Sequence, residues 1–160
     1  SRPLDGVLRT LSAAGLIGAA DPTVHLALLQ QLDALLLASP SAVESSVVPD
    51  VLLRALAPTV PRLLDTAVKQ MAKSVSTLPL DALRVLLLPR LMALAVSPAI
   101  PPLPRANCLV CAQKLAARVD PLALQETVLP TVEHLLQRQE LLGHAGLIMA
   151  AFCLIEIVGA

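Results

Sequence analysis

The feature that most restricts what this chain can become is a short phrase that occurs three times: Val47-Val48-Pro49-Asp50-Val51, Leu87-Leu88-Pro89-Arg90-Leu91 and Val128-Leu129-Pro130-Thr131-Val132. In each copy two aliphatic residues precede the proline and another stands two positions after it, and the prolines are 40 and 41 residues apart. Recurrence at that period marks a helical-repeat solenoid. A single helix hairpin cannot bury its apolar face alone, so such repeats stack into a rod or arc with a long surface rather than a pocket. The pattern speaks to architecture and to binding before it speaks to chemistry.

The sequence between the prolines reads as helix hairpins. Leu4, Val7, Leu8, Leu11 and Ala14 recur at helical spacing through Ile17, and Gly15 and Gly18 mark the end of that helix. Asp21-Pro22-Thr23 is a start signal, with a capping acid and a proline in the first turn, for a second helix that closes near Ser39-Pro40. Ser41 to Leu56 carries the stripe Val43, Val47, Val51 and Leu52 with Pro49 inside it, and Thr59 to Val75 is its return helix. Leu78-Pro79-Leu80-Asp81 opens the next hairpin, which runs through Pro89 to about Val96. Four prolines between Pro98 and Pro104 predict a stiff connection to a return helix over Asn107–Val119. Asp120-Pro121 starts the last hairpin, whose helices reach about Gln137 and then span Leu141–Val158.

No alternation of period two appears, so the expected class is all-α. The expectation is one segment over residues 1–160, an α-solenoid of about four hairpins near 4–38, 41–75, 79–119 and 120–158. A proline inside a helix removes a hydrogen bond and bends the rod, so Pro49, Pro89 and Pro130 predict a kinked or split first helix in each hairpin. These three are the repeat-shaping positions.

Composition narrows the function. Hydrophobic residues make up 56% and charged residues 15%, with a mean hydropathy of +0.74, which is apolar for a small isolated domain. The expectation is that further protein covers part of this surface, as in a piece of a longer array. Phe152 is the sole aromatic and the formal charge is zero, so a nucleic-acid partner would find neither stacking platforms nor an attractive field. The most apolar stretch, Leu141 to Ala160, contains His144 and Glu156, and a membrane span is not expected. No nucleophile, base or paired carboxylates converge in the sequence, and Glu126 and Glu133, seven apart, read as one solvated face. His25, His134 and His144 have no visible partner. The chain is therefore expected to be non-catalytic, with no cofactor and no metal.

Three smaller motifs have plain readings. Cys108 and Cys111 form a C-x-x-C without a second pair; on a helix they share a buried face, and small thiols pack well there. Three reduced cysteines suit a cytoplasmic protein. Pro98–Pro101 and Pro101–Pro104 each satisfy P-x-x-P, the pattern of an SH3-domain ligand, but a short proline-rich loop between helices is the plainer reading. Leu63-Leu64-Asp65 is the start of a clathrin-box-like motif, but it lies on a helix whose leucines should be buried.

Leu87-Leu88-Pro89-Arg90-Leu91, the run Arg105-Ala106-Asn107-Cys108-Leu109-Val110-Cys111-Ala112-Gln113-Lys114-Leu115, and Val128-Leu129-Pro130 together resemble the HEAT-repeat region of the Scy-like pseudokinases. The resemblance covers about residues 50 to 156. It implies a HEAT/armadillo-like scaffold in vesicle traffic, cytoplasmic and associated with Golgi or endosome, with clathrin or COPI coat or adaptor subunits as partners. The kinase-like signatures of that family do not occur in this chain. HEAT repeats commonly pair an acid in the turn with a base at the start of the return helix; Arg105 fits the base, but Ser97 and Pro98 occupy the turn, so the ladder is expected to be broken here. The candidate interaction surface is Arg62, Lys69, Lys73, Arg90 and Arg105, with Lys114 and Arg118 as further cations. Self-association is another use of such a surface, and a structural brace in a larger assembly is the alternative role.

Overall fold

The computed structural model describes residues 47–159, together with Leu26, Leu29 and Gln30. Apart from those three positions, the helices expected between Leu4 and Ser39 lie outside the described residues. Among the described residues all regular structure is helical. Helix α1 is Val47–Ala55, α2 Pro61–Ser74, α3 Leu80–Ala82, α4 Leu88–Ala95, α5 Pro102–Val119, α6 Pro121–Ala123, α7 Leu129–Gln137 and α8 Gln139–Gly159. Two π-helical turns, Leu83–Leu87 and Leu124–Val128, join α3 to α4 and α6 to α7.

Local chemistry explains the starts. Pro61, Pro102 and Pro121 stand at the first position of their helices, where an N–H would have no intrahelical partner. Asp120 caps α6 by accepting the N–H of Ala123 at 3.2 Å. The connection expected to run to Pro104 ends earlier, because Pro102 and Pro104 both fall in the first turn of α5, where proline is tolerated. The Pro101–Pro104 motif is thus largely helical and does not present an extended ligand. α8 is interrupted at Gly143, with φ 65° and ψ 178°. Only glycine adopts that conformation without strain.

The repeated prolines do not break their helices. Leu87 and Val128, each two residues before a proline, keep helical dihedrals (φ −81°, ψ −44° and φ −70°, ψ −48°). The chain widens by one residue ahead of each proline: the N–H of Leu88 reaches the carbonyl of Leu83, and that of Leu129 the carbonyl of Leu124. Pro89 and Pro130 have no N–H to offer the carbonyls of Val85 and Glu126, and both of those residues are exposed, where water can serve instead. The expected kink or split is therefore a π-turn in a continuous helical path.

Side-chain spacing gives a second reason for that turn. Leu83, Leu87, Leu91 and Ala95 are all buried and follow each other at intervals of four residues, as do Leu124, Val128 and Val132. In an α-helix each such step overshoots a full turn by about 40°. A wider turn takes back part of that drift and keeps the stripe on the core. Pro49 differs from the other two prolines: it is buried and sits in the first turn of the described part of α1.

One core runs through the described residues, from Leu29 and Val48 to Cys153 and Ile157. α5 lies at its centre and packs against α4, α2 and α8, while α7 packs on α8 and α1 on α2. Among the described residues no helix is long and apolar enough to cross a membrane.

Candidate interaction surface

The helices α2 and α5 lie side by side, and between their outer faces runs a groove of about 150 Å³. α2 contributes Asp65, Val68, Lys69 and Ala72, and α5 contributes Asn107, Val110, Cys111 and Lys114. The amphipathic pattern of α2 sets this up: Leu63, Leu64, Ala67, Val68 and Met71 turn to the core, and Arg62, Lys69 and Lys73 are left outside. Asp65 and Lys69, four residues apart, pair at 3.0 Å across one turn of the helix. The groove is apolar along its floor; its α2 edge carries the paired Asp65 and Lys69, and its α5 edge the exposed Lys114.

The five residues expected to form one surface divide into two groups. Arg62, Lys69 and Lys73 are exposed on α2. Arg90 and Arg105 are not surface contacts, and this corrects the expectation. Arg90 is half-buried and donates to the carbonyl of Leu56 at 3.1 Å, tying α4 to the end of α1. Arg105 is 6% exposed, and its Nε donates to the carbonyl of Ile100 at 2.7 Å. Burial lowers the pKa of that guanidinium. Arg118 likewise serves the fold: its guanidinium donates to the carbonyls of Val75, Ser76 and Leu78, in the turn that follows α2.

The cysteines are core residues. Cys108, Cys111 and Cys153 are buried free thiols. Burial pushes Cys108 and Cys111 up to about 12 and Cys153 to about 11, so all three stay protonated near neutral pH. The Cys111 thiol faces the carbonyl of Val68 at 3.8 Å, linking the two helices under the groove. Leu63 and Leu64 are 2% and 1% exposed, so the Leu63-Leu64-Asp65 motif is not presented to a partner. His134, His144, Glu126 and Glu133 are exposed.

Sequence reasoning missed a second surface. On α8, Ile148, Phe152, Ile155 and Val158 are exposed to between 48% and 71% and line up at helical spacing. Their spacing was visible, but a run that is apolar all round does not show which side stays outside. Glu156 beside them accepts from Gln113 of α5 at 2.8 Å, which anchors α8 to its neighbour.

Comparison with protein-family models, curated proteins and solved structures found no match.

Proposed function

We propose that this chain is a segment of a HEAT-type α-solenoid acting as a non-catalytic protein-interaction scaffold. The observation that carries the reading is that one unit occurs twice in register. A first helix opens into a π-turn, Leu-Pro follows, and a return helix comes back, with 41 residues between Leu83 and Leu124. Burial repeats with the same step: of the seven buried positions of α2, six are buried again forty-one residues on, in α5. Identical units in fixed register are what stacking requires, and stacking yields long faces suited to protein partners.

The resemblance of Leu87–Leu91, Arg105–Leu115 and Val128–Pro130 to the Scy-like repeat region supports a partner class of clathrin or COPI coat or adaptor subunits. Affinity capture with this chain as bait tests the reading. Coat or adaptor subunits should be recovered, and recovery should fall when Arg62, Lys69 and Lys73 are changed together to Glu. A second reading, a structural brace inside a fixed assembly, is favoured by the uncharged outer stripe of α8, since permanent interfaces are the more apolar ones. Recovery of one stoichiometric complex regardless of the charge reversals would select the brace.

A further inference from the structure

We propose that the groove between α2 and α5 binds an acidic peptide segment through one aliphatic anchor, an assignment that rests on the scaffold reading only in taking the partner to be protein. Charge is the first argument. The whole chain balances 12 basic against 12 acidic residues, yet α2 and α5 together carry six basic residues and one acid. That acid, Asp65, is already paired with Lys69. Arg105 and Arg118 are engaged by backbone carbonyls, which leaves Lys114 exposed on the groove edge and Arg62 and Lys73 exposed elsewhere on α2. A segregated field of one sign, on a protein whose other residues carry the opposite excess, steers and orients a partner of the other sign.

Size and lining are the second argument. A volume of about 150 Å³ falls below the roughly 300 Å³ at which pockets for small molecules begin, and it suits a single branched side chain. Val68, Ala72, Val110 and the Cys111 thiol give that side chain an apolar floor. The carboxylates beside the anchor would meet Lys114 on the α5 edge, with Arg62 and Lys73 extending the contact along α2. A nucleic acid could satisfy the cations, but its bases carry no branched aliphatic group to fill the floor.

The probe is a fluorescein-labelled peptide of about twelve residues, rich in Glu and Asp with one central Leu. Its anisotropy is titrated with the 160-residue chain at low and at physiological salt. Saturable binding is expected, weakening as salt rises. Lys114→Glu should weaken it by about tenfold, by removing one attraction and adding a repulsion. Arg84→Glu makes the same change in net charge on α3–α4, away from the groove, and should change affinity by less than about twofold. Replacing the central Leu of the peptide by Ser should also weaken binding. The proposal is overturned by absence of saturable binding, by equal losses in Lys114→Glu and Arg84→Glu, by indifference to Leu→Ser, or by equally tight binding of a single-stranded oligonucleotide. None of those results bears on whether coat subunits are captured, so the scaffold reading stands or falls separately.

Discussion

The return helices α5 and α8 are built on the same frame but buried to different depths. Arg105, Leu109, Ala112 and Ala116 of α5 are buried, and so are Gly146, Ala150, Cys153 and Ile157, their counterparts forty-one residues later in α8. Both helices therefore turn the same line of positions inward. α5 buries a further set, including Cys111 beside Val68 of α2 and Gln113 beside Glu156 of α8, because it has a return helix on each side. In α8 the positions matching Cys111 and Gln113 are Phe152 and Leu154, and Phe152 is 63% exposed. The larger and more apolar residue is the one in water. Burial here follows the number of neighbours a helix has, more than the hydropathy of its side chains.

The largest expected effect probes the doubly flanked helix. Leu109→Ala should destabilise the chain by about 2–5 kcal/mol in urea unfolding, since Leu109 is fully buried and the site cannot collapse with helices on both sides. A loss below about 1 kcal/mol would mean that α5 is less tightly held than its position implies. Next in size is Arg105→Ala, expected to cost about 1.5–3 kcal/mol through loss of the charged hydrogen bond to Ile100. Near-wild-type stability would return Arg105 to the list of surface cations.

A third test uses the thiols. Cys111 has its pKa pushed up to about 12 by burial, against an ordinary value of 9.0, so between those values the folded state holds a proton that the unfolded chain releases. Stability from this source is present below pH 9 and is lost as pH rises, by about 1 kcal/mol between pH 9 and pH 10. Unfolding midpoints across that range should fall more steeply in the wild type than in Cys111→Ala; parallel slopes would show that the thiol titrates as it does when exposed. The smallest effect belongs to α8. Phe152→Ala should change stability by no more than about 0.5 kcal/mol, as for other exposed sites. A loss above about 1.5 kcal/mol that grows with protein concentration would instead show that the stripe is covered by a second copy.

The sequence showed the helical class because prolines and aliphatic stripes report local periodicity directly, and its forty-one-residue recurrence is matched by the two π-turns. The π-turns were only half legible. Pro89 and Pro130 announced a disturbance, but whether a helix breaks or widens depends on keeping Leu83, Leu87 and Leu91 on one core line, which is a tertiary demand. The exposure of Arg62, Lys69 and Lys73 was legible because α2 is amphipathic. It failed for Arg105, which has the same residue type and a similar apolar neighbourhood, because burial of a guanidinium depended on the Ile100 carbonyl supplied by the preceding turn. Lys114 and Val110 could not be assigned to a groove from sequence, since the groove exists only where α5 meets α2.

Native-state hydrogen exchange across α5 and α8 tests the central claim, that stacked neighbours hold each return helix. Amides of residues 105–119 should exchange only through global unfolding, while those of Gln139–Gly159 should exchange through a smaller opening at lower free energy. Equal protection of the two helices in the isolated chain would contradict the account, because a return helix packed against one other return helix would then be held as firmly as one packed against two.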